Sequence, residues 1–305
     1  MTSNRRVVFG ARGSALSVAQ TRQVMAKWTS QFPDDEIELR TFTTTGDRIQ
    51  DREVKPADLH KGIFTKEIEH SLLQEEIDIA VHSAKDLSVW MPQGLVLGAV
   101  PERHSPHDVL LSKEAIDSLE EWSVETMIMT SSPRRVFQWK EHYPNSTVVP
   151  VRGNVQTRIQ KLVDHGEAHA SILAQAGMDR LQPDLLGCSM IPLPLKQFIP
   201  APGQGALALQ ARETDEFILN KLAAIEHMPS RRCLDAERRL VQTLEAGCSV
   251  PLGAFAYEED EQIFMQAILY LEGMKLGDAG SRASASTAFE NDGSWIETMA
   301  EQLKA

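Results

Sequence analysis

The alternation of apolar and polar stretches along the first third of the chain predicts a succession of strands and helices. Short apolar runs bounded by polar residues are typical of strands, and apolar residues spaced three and four apart are typical of amphipathic helices. Strands are predicted over 6–10, 36–44 and 77–82, and helices over 14–30 and 63–74. Four residues of the first helix are expected to face the core: Leu16, Ala19, Val24 and Trp28. This rhythm predicts an α/β domain with a largely parallel sheet.

The same rhythm returns in the middle of the chain. Strands are predicted over 126–130, 147–151 and 170–174, and helices over 133–142 and 155–165. A proline-rich stretch at 185–202 is a candidate crossing segment, and the strand predicted at 203–212 is expected to return to the first lobe. The C-terminal part changes character, with helices predicted over 231–244 and 294–303 and strands over 253–257 and 263–271.

We therefore expect an α/β protein of two α/β lobes and a small α+β third domain. The first lobe would comprise 1–102 with 203–225, the second 103–202, and the third domain 226–305. At 305 residues, the chain is long enough to bury its cores without disulfides or metals.

Composition narrows the classes of protein that fit this pattern. The formal net charge is −12, which argues against a nucleic-acid binder. The three cysteines, Cys188, Cys233 and Cys248, have neither the number of a disulfide framework nor zinc-ligand spacing. We expect no signal peptide at the N-terminus and no membrane span, and hence a cytoplasmic protein.

Three predicted strand ends are followed by small hydroxyl residues and arginines where a helix begins. They are Gly10-Ala-Arg-Gly-Ser-Ala-Leu-Ser17, Thr130-Ser-Ser-Pro-Arg-Arg135 and Val151-Arg-Gly-Asn-Val-Gln-Thr-Arg158. Free N–H groups and the helix dipole favour anions there. Any one of these segments taken alone is better explained as an ordinary N-cap beside solvated arginines, because such caps are common. Three such segments on two lobes favour a ligand with several carboxylates or phosphates.

Two further segments carry reactive side chains. Lys85 and Asp86 follow the strand predicted at 77–82, and they fit either an anionic site or a surface ion pair. Cys248 lies in a loop between Gly247 and Ser249, which favours an accessible thiol with a covalent role over a buried structural cysteine. His104 and His107 flank Pro106 and lack a third ligand, so we predict a polar linker and no metal site.

Taken in order, these segments resemble the porphobilinogen deaminase family. The matching pieces are Arg12-Gly-Ser14, Thr45-Gly-Asp47, Lys61-Gly-Ile-Phe-Thr-Lys-Glu67, Val81-His-Ser-Ala-Lys-Asp86, Thr130-Ser-Ser-Pro-Arg-Arg135, Val151-Arg-Gly-Asn154 with Thr157-Arg158, Ala176-Gly177 with Arg180, Pro202-Gly-Gln-Gly-Ala206 and Gly247-Cys-Ser-Val-Pro-Leu-Gly253. Their order and spacing span about residues 7 to 256.

The resemblance implies two periplasmic-binding-protein-like lobes and a third domain that carries the cysteine loop. It also implies a transferase of tetrapyrrole and haem biosynthesis. Such an enzyme joins four porphobilinogen molecules head to tail with loss of ammonia and releases hydroxymethylbilane. A dipyrromethane primer, bound to Cys248 through a thioether, is the implied cofactor.

The resemblance also implies roles for individual residues. Asp86 would be catalytic, because its carboxylate would stabilise positive charge on the pyrrole nitrogens. Beside Cys248, the implied cofactor-binding residues are Ser83, Lys85, Thr130, Ser131, Ser132, Arg134, Arg135, Arg152, Asn154 and Arg158. The implied substrate-binding residues are Arg12, Ser14, Phe64, Arg180 and Gln204.

The implied partners are porphobilinogen and the growing oligopyrrole, with no nucleic acid and no membrane, and the family suggests a monomer. The chain departs from the family at Leu59 and His60, where glycines are common, and at Ala84, where methionine is common. The alternative from a second functional class is a cytosolic two-lobed anion-binding protein without catalysis. The cysteine loop distinguishes the two, because a plain binder has no reason to carry it.

Overall fold

The computed structural model describes residues 6–45, 65–116, 118–122, 125–246, 250–288 and 293–305. These residues form two compact units. The first unit holds the chain up to His104 together with Ala206–Arg232, and the second holds Ser105–Gly205 together with Cys233–Ala305. The division into three domains at 102, 202 and 225 stays a prediction.

The structure has a strand or helix at or near each predicted position, and it adds strands at 95–99, 108–112, 189–192 and 281–288 and helices at 175–181 and 216–222 that were not predicted. The strands are β1 (Arg6–Arg12), β2 (Glu36–Phe42), β3 (Ile79–Ser83), β4 (Leu95–Ala99), β5 (Asp108–Ser112), β6 (Met127–Met129), β7 (Thr147–Val149), β8 (Ala170–Ala174), β9 (Ser189–Pro192), β10 (Leu207–Arg212), β11 (Leu252–Glu259), β12 (Gln262–Leu269) and β13 (Ser281–Ala288). The α-helices are α1 (Ala15–Gln31), α2 (Lys66–Leu73), α3 (Pro133–His142), α4 (Val155–Asp164), α5 (Gln175–Leu181), α6 (Glu216–Leu222), α7 (Met228–Thr243) and α8 (Ser294–Lys304). Short 3₁₀ turns occupy Ala84–Asp86 and Leu119–Glu121.

The sheet of the first unit has the strand order β2-β1-β3-β10-β4. Strand β1 runs parallel to β2 and β3, whereas β10 runs antiparallel to β3 and β4. The strand predicted after the crossing segment therefore does return to the first sheet. Val7 and Phe9 pack with Trp28 of α1, while Val8 packs on the opposite face with Leu72 of α2. A sheet covered on both faces in this way produces the continuous apolar runs seen in the sequence.

The second unit contains two sheets. Its five-stranded sheet has the order β7-β6-β8-β5-β9, with β6 parallel to β7 and β8 and with β5 antiparallel to β8 and β9. This is the same pattern of order and direction as in the first unit, which confirms two α/β lobes of similar build. The antiparallel sheet β11-β12-β13 packs against α7 and α8 and forms the small C-terminal α+β part.

Several details differ from the predictions. In α1, Val24 and Trp28 are buried as expected, but Leu16 and Ala19 are only half-buried, and the polar residues Ser17, Gln20 and Thr21 are buried instead. The polar linker predicted around His104 and His107 has no regular secondary structure over 102–107, as expected, but its last residue, Asp108, is buried and begins β5. Among the described residues, no helix combines the length and apolarity needed to cross a bilayer.

Candidate active site

A pocket in the first unit forms where β1 and β3 end and α1 begins. These strands are parallel neighbours, so their carboxyl ends meet at one edge of the sheet, where α/β proteins bind ligands. The pocket is lined by Arg12, Ser14, Leu16, Ser17, Gln20, Thr65, Val81, His82, Ser83 and Asp86. The structure therefore brings together four of the residues singled out in the sequence: Arg12, Ser14, Ser83 and Asp86.

The hydroxyl groups in this pocket are held by local contacts. Ser14 is the N-cap of α1, and its Oγ accepts a hydrogen bond of 3.3 Å from the backbone N–H of Ser17. Gln20 donates through Nε2 to Ser83 Oγ at 2.9 Å. The N-terminus of α1 thus directs its N–H groups and its positive dipole end to the pocket.

Asp86 lies in the 3₁₀ turn that follows β3, and both Asp86 and Lys85 are exposed. An exposed carboxylate on a pocket wall is available to a ligand, whereas a buried one would already be committed to the protein. Asp86 therefore has the accessibility that a role in catalysis requires.

Beneath Asp86, His82 is buried in the pocket wall and joins a series of polar contacts. Its Nε2 lies 3.1 Å from Gln210 Oε1, and Gln210 donates to Glu69 Oε1 at 3.2 Å. Burial lowers the pKa of His82 to about 4, the charge of Arg12 adds to this effect, and the bond to Gln210 opposes it. The imidazole is consequently neutral at physiological pH and adds no charge beside Arg12 and Asp86.

In the second unit, the segment Thr130–Ser132 leads into α3. Pro133 occupies the first helical position, as predicted, and Ser132 is the N-cap residue without a side-chain capping bond. Ser131 Oγ instead bonds both the N–H and the carbonyl of Val151 at 2.9 Å, and so ties this segment to the next predicted anion segment.

Arg134 and Arg135 are buried and share Asp108. Arg134 donates through Nη1 to Asp108 Oδ2 at 2.8 Å, and Arg135 donates through Nη2 to Asp108 Oδ1 at 2.6 Å. Gln204 is also buried, and its Nε2 donates to Asp108 Oδ1 at 2.9 Å. The structure thus gathers three predicted site residues around a carboxylate that sequence reasoning did not single out.

The third segment starts α4. Asn154 is its N-cap and accepts from the N–H of Thr157 at 2.9 Å. Arg152 is exposed, and Arg158 is half-buried with its Nε donating to the carbonyl of Gly153 at 2.8 Å. Arg152 therefore has the exposure expected of an anion contact.

Arg180 lies near the end of α5 and has a donor that no described residue satisfies. Its Nη2 donates to the carbonyl of Gly205 at 2.9 Å, while its Nε is buried and has no hydrogen-bond partner among the described residues. Burial lowers the pKa of Arg180 to about 10, although the neighbouring Asp179 raises it. A buried donor without a partner is costly, which favours an acceptor supplied by a ligand.

Phe64 and Cys248 lie outside the described residues, and so do Lys61 and most of the segment around it. Their predicted roles stay predictions. Among the described residues, no group of three or more His, Cys, Asp or Glu side chains is placed to hold a metal ion.

Sequence reasoning missed Gln20, His82 and Asp108 as parts of these sites. A signal existed for Gln20, because Ser17, Gln20 and Thr21 form a polar stripe at helical spacing within α1. No local signal distinguished Asp108, whose partners are Arg134 and Arg135 of α3 and Gln204, which precedes β10.

Comparison with known proteins places these features in a family. The family model described as porphobilinogen deaminase, dipyromethane cofactor binding domain, matches residues 7–220, and the porphobilinogen deaminase C-terminal domain matches residues 231–293. The porphobilinogen deaminase of Desulforudis audaxviator is 43% identical over 274 residues, which are 89% of this chain and 87% of that protein. That of Listeria welshimeri is 34% identical over 98% of this chain and 99% of its own length. Among solved structures, an ancestral cationic amino acid solute binding protein shares 14% identity over 77% of this chain and 94% of its own, with a TM-score of 0.44.

Proposed function

The chain belongs to the porphobilinogen deaminase family, the transferases of tetrapyrrole biosynthesis, and we propose that Asp86 is the catalytic residue with which it polymerises porphobilinogen. Its N-terminal region is a dipyrromethane cofactor binding domain. The observation that carries the proposal is the pocket that gathers Asp86 with Arg12, Ser14 and Ser83 at the end of β3 and the start of α1.

The described residues fit an oligopyrrole cofactor, in which every ring carries an acetate and a propionate. Arg134 and Arg135 bring two positive charges to a buried cluster, and Asp108 neutralises only one of them. Arg180 keeps a buried Nε to which no described residue offers a hydrogen-bond acceptor. Surplus buried positive charge and an unsatisfied donor both call for ligand carboxylates.

We propose the remaining roles from the resemblance to the family. When bound, the dipyrromethane supplies a free pyrrole α-carbon to which the first substrate is joined. Cys248 would hold it, with Ser83, Lys85, Thr130, Ser131, Ser132, Arg134, Arg135, Arg152, Asn154 and Arg158 as its contacts. Arg12, Ser14, Phe64, Arg180 and Gln204 would bind the incoming porphobilinogen.

Asp86 acts on the substrate cation. The aminomethyl group reacts in its protonated, ammonium form: its C–N bond breaks, the nitrogen leaves with the electron pair as ammonia, and the positive charge spreads over the pyrrole ring. The Asp86 carboxylate accepts a hydrogen bond from the pyrrole N–H and stabilises that positive charge. The α-carbon of the acceptor pyrrole would supply the electron pair of the new C–C bond, and the proton released from that carbon would convert the departed ammonia to ammonium.

Residues near Asp86 support its role by orienting the substrate and by adding no further positive charge. Arg12 and the N-terminus of α1 would hold the substrate's acetate and propionate, which orients the ring. Because His82 is neutral, the pocket gains no second cation that would oppose the developing positive charge.

We further propose a cytoplasmic monomer whose partners are porphobilinogen and the growing oligopyrrole, without nucleic acid or membrane. The net charge of −12 supports the absence of nucleic acid.

The experiment is the intact mass of the purified protein before and after incubation with porphobilinogen. We expect the wild-type protein to carry an excess equal to two porphobilinogens less two ammonias, and Cys248→Ala to carry none. Cys233→Ala, a buried cysteine in α7, is the matched control and should keep the adduct. An adduct that persists in Cys248→Ala would move the anchor elsewhere. A wild-type protein that stays unmodified would favour the non-catalytic anion-binding protein.

A further inference from the structure

Asp108 is saturated with hydrogen bonds inside the second unit. Its Oδ1 accepts from Arg135 Nε at 3.1 Å, from Arg135 Nη2 at 2.6 Å and from Gln204 Nε2 at 2.9 Å, and its Oδ2 accepts from Arg134 Nη1 at 2.8 Å. A carboxylate offers about four lone-pair positions. Asp108, whose side chain is 1% exposed, therefore has no capacity left for a ligand, and it acts only on its neighbours.

The two arginines that share Asp108 differ in how many of their guanidinium donors already make hydrogen bonds within the protein. Arg135 uses Nε and Nη2 on Asp108 and Nη1 on the carbonyl of Ile172 at 2.8 Å. Arg134 uses only Nη1, on Asp108 and on the carbonyl of Ile199 at 2.9 Å. Its Nε and Nη2 make no hydrogen bond with any residue that the structure describes. Donors for a ligand therefore remain chiefly on Arg134.

Asp108 also determines the net charge of the cluster that it forms with Arg134 and Arg135. Burial alone would raise the pKa of this carboxyl group, but the charges of Arg134 and Arg135 hold it well below its ordinary value. The carboxylate consequently stays ionised, and one positive charge of the arginine pair remains unmatched at the N-terminus of α3. The helix dipole adds to the attraction for an anion at this point.

We propose that Asp108 is a positioning residue for cofactor loading. Asp108 holds Arg134 and Arg135 in place, so that the one unmatched positive charge and the free donors of Arg134 face a carboxylate of the oligopyrrole. This inference rests on the proposed function. It adds a residue that contacts no ligand and acts through the two arginines. A purely structural Asp108 would affect folding alone, whereas a positioning residue also affects the porphobilinogen concentration needed for loading.

The test is a loading titration on protein produced in a host that cannot make porphobilinogen, so that the chain begins unloaded. Porphobilinogen is added in steps, and the loaded fraction is read from the intact mass. Urea denaturation of each unloaded protein is measured in parallel. We expect Asp108→Asn to raise the half-loading concentration on the order of tenfold or more, because charge-assisted bonds to Arg134 are lost and its guanidinium is free to turn.

Asp78→Asn is the matched control. Asp78 is a buried aspartate of the first unit that pairs with Arg212 at 3.0 Å and also accepts from the N–H of Val8 at 2.8 Å. Its replacement breaks a comparable buried ion pair away from the residues proposed to bind the cofactor. We expect it to lower stability while half-loading stays at the wild-type concentration.

Asp108→Glu keeps the charge and changes only the position of the carboxylate, so it covers the case in which Asp108→Asn does not fold. We expect Asp108→Glu also to need more porphobilinogen than the wild type. Half-loading of the folded Asp108 variants at the wild-type concentration would overturn the inference and leave the proposed function standing. A wild-type protein that never loads would overturn the proposed function and this inference with it.

Discussion

The buried histidine in the pocket wall makes the stability of this protein depend on pH in a calculable way. Burial lowers the pKa of His82 from 6.5 to about 4 in the folded protein. The unfolded chain therefore binds a proton at a pH where the folded protein does not. The stabilising contribution is fully present above pH 6.5 and is lost as the pH falls toward 4. Stability must therefore decrease with acidification across this window.

The magnitude follows from the two pKa values. At pH 5 the unfolded chain gains about 2 kcal/mol from protonation of His82 relative to the folded protein, and the loss saturates near 3 kcal/mol once the pH is below about 4. The side chain is only 5% exposed, so solvent screening does not reduce this figure greatly. A loss of this size is a substantial part of the stability of a typical domain.

The assay is urea denaturation at pH 8 and at pH 5 for the wild-type protein and for His82→Gln, whose amide keeps a hydrogen-bonding group near Gln210 without titrating. We expect the wild type to lose about 2 kcal/mol more than His82→Gln between the two pH values. Other groups titrate in both proteins, so their contributions cancel in this difference. His70→Gln, at an exposed position on α2, is the control for losing one histidine. If His82→Gln lost as much stability as the wild type between pH 8 and pH 5, the reasoning from burial would be refuted.

Two further predictions follow from the geometry. Asp86→Asn should lower turnover by about 100-fold or more, because the charge that stabilises the pyrrole cation is lost. Asp86→Glu should still assemble part of its cofactor, but its turnover should be severely reduced. Near-normal turnover of Asp86→Asn in a steady-state assay would contradict the catalytic role. Gly253→Ala should lower the free energy of unfolding by about 1–3 kcal/mol, because an added Cβ would lie 2.7 Å from the carbonyl oxygen of Ile199 and 2.9 Å from Ile268 Cγ2. The control in urea denaturation is Gly166→Ala, where the added Cβ meets no atom of the described residues within 4 Å. Equal midpoints for the two variants would show that the backbone near Ile199 shifts without a cost in stability.

The sequence alone determined the position of most strands and helices, because helix and strand signals are local, but it did not predict β4, β5, β9, α5 or α6. Pro133 marked the first residue of α3, since its fixed φ and missing N–H suit that position. The strand at Ala170–Ala174 was likewise predicted at its observed bounds, as a short apolar run between polar segments. The order of the motifs, from Arg12-Gly-Ser14 to the cysteine loop, was sufficient to indicate the family.

Other elements lacked such a signal. Strand β13, Ser281–Ala288, is composed of small and polar residues, and it becomes a strand because β12 offers it a full antiparallel ladder. The inward face of the first half of α1 is polar because Gln20 meets Ser83 of β3 there. Pairing partners of this kind are supplied by distant parts of the chain, so hydrophobic periodicity does not reveal them.

The tertiary structure decided which charged groups are committed to the protein and which remain for a ligand. Asp108 lies 26 residues from Arg134 and 96 residues from Gln204 along the chain, and His82 lies 128 residues from Gln210. His82 meets Gln210 because β10 pairs antiparallel with β3, whereas Asp108 meets Arg134 through α3 and Gln204 through the turn before β10. The sequence therefore determined which chemical groups are present. Burial and long-range pairing determined the charge of these groups and which of their donors remain free, because burial and pairing depend on contacts that form only when the sheets assemble.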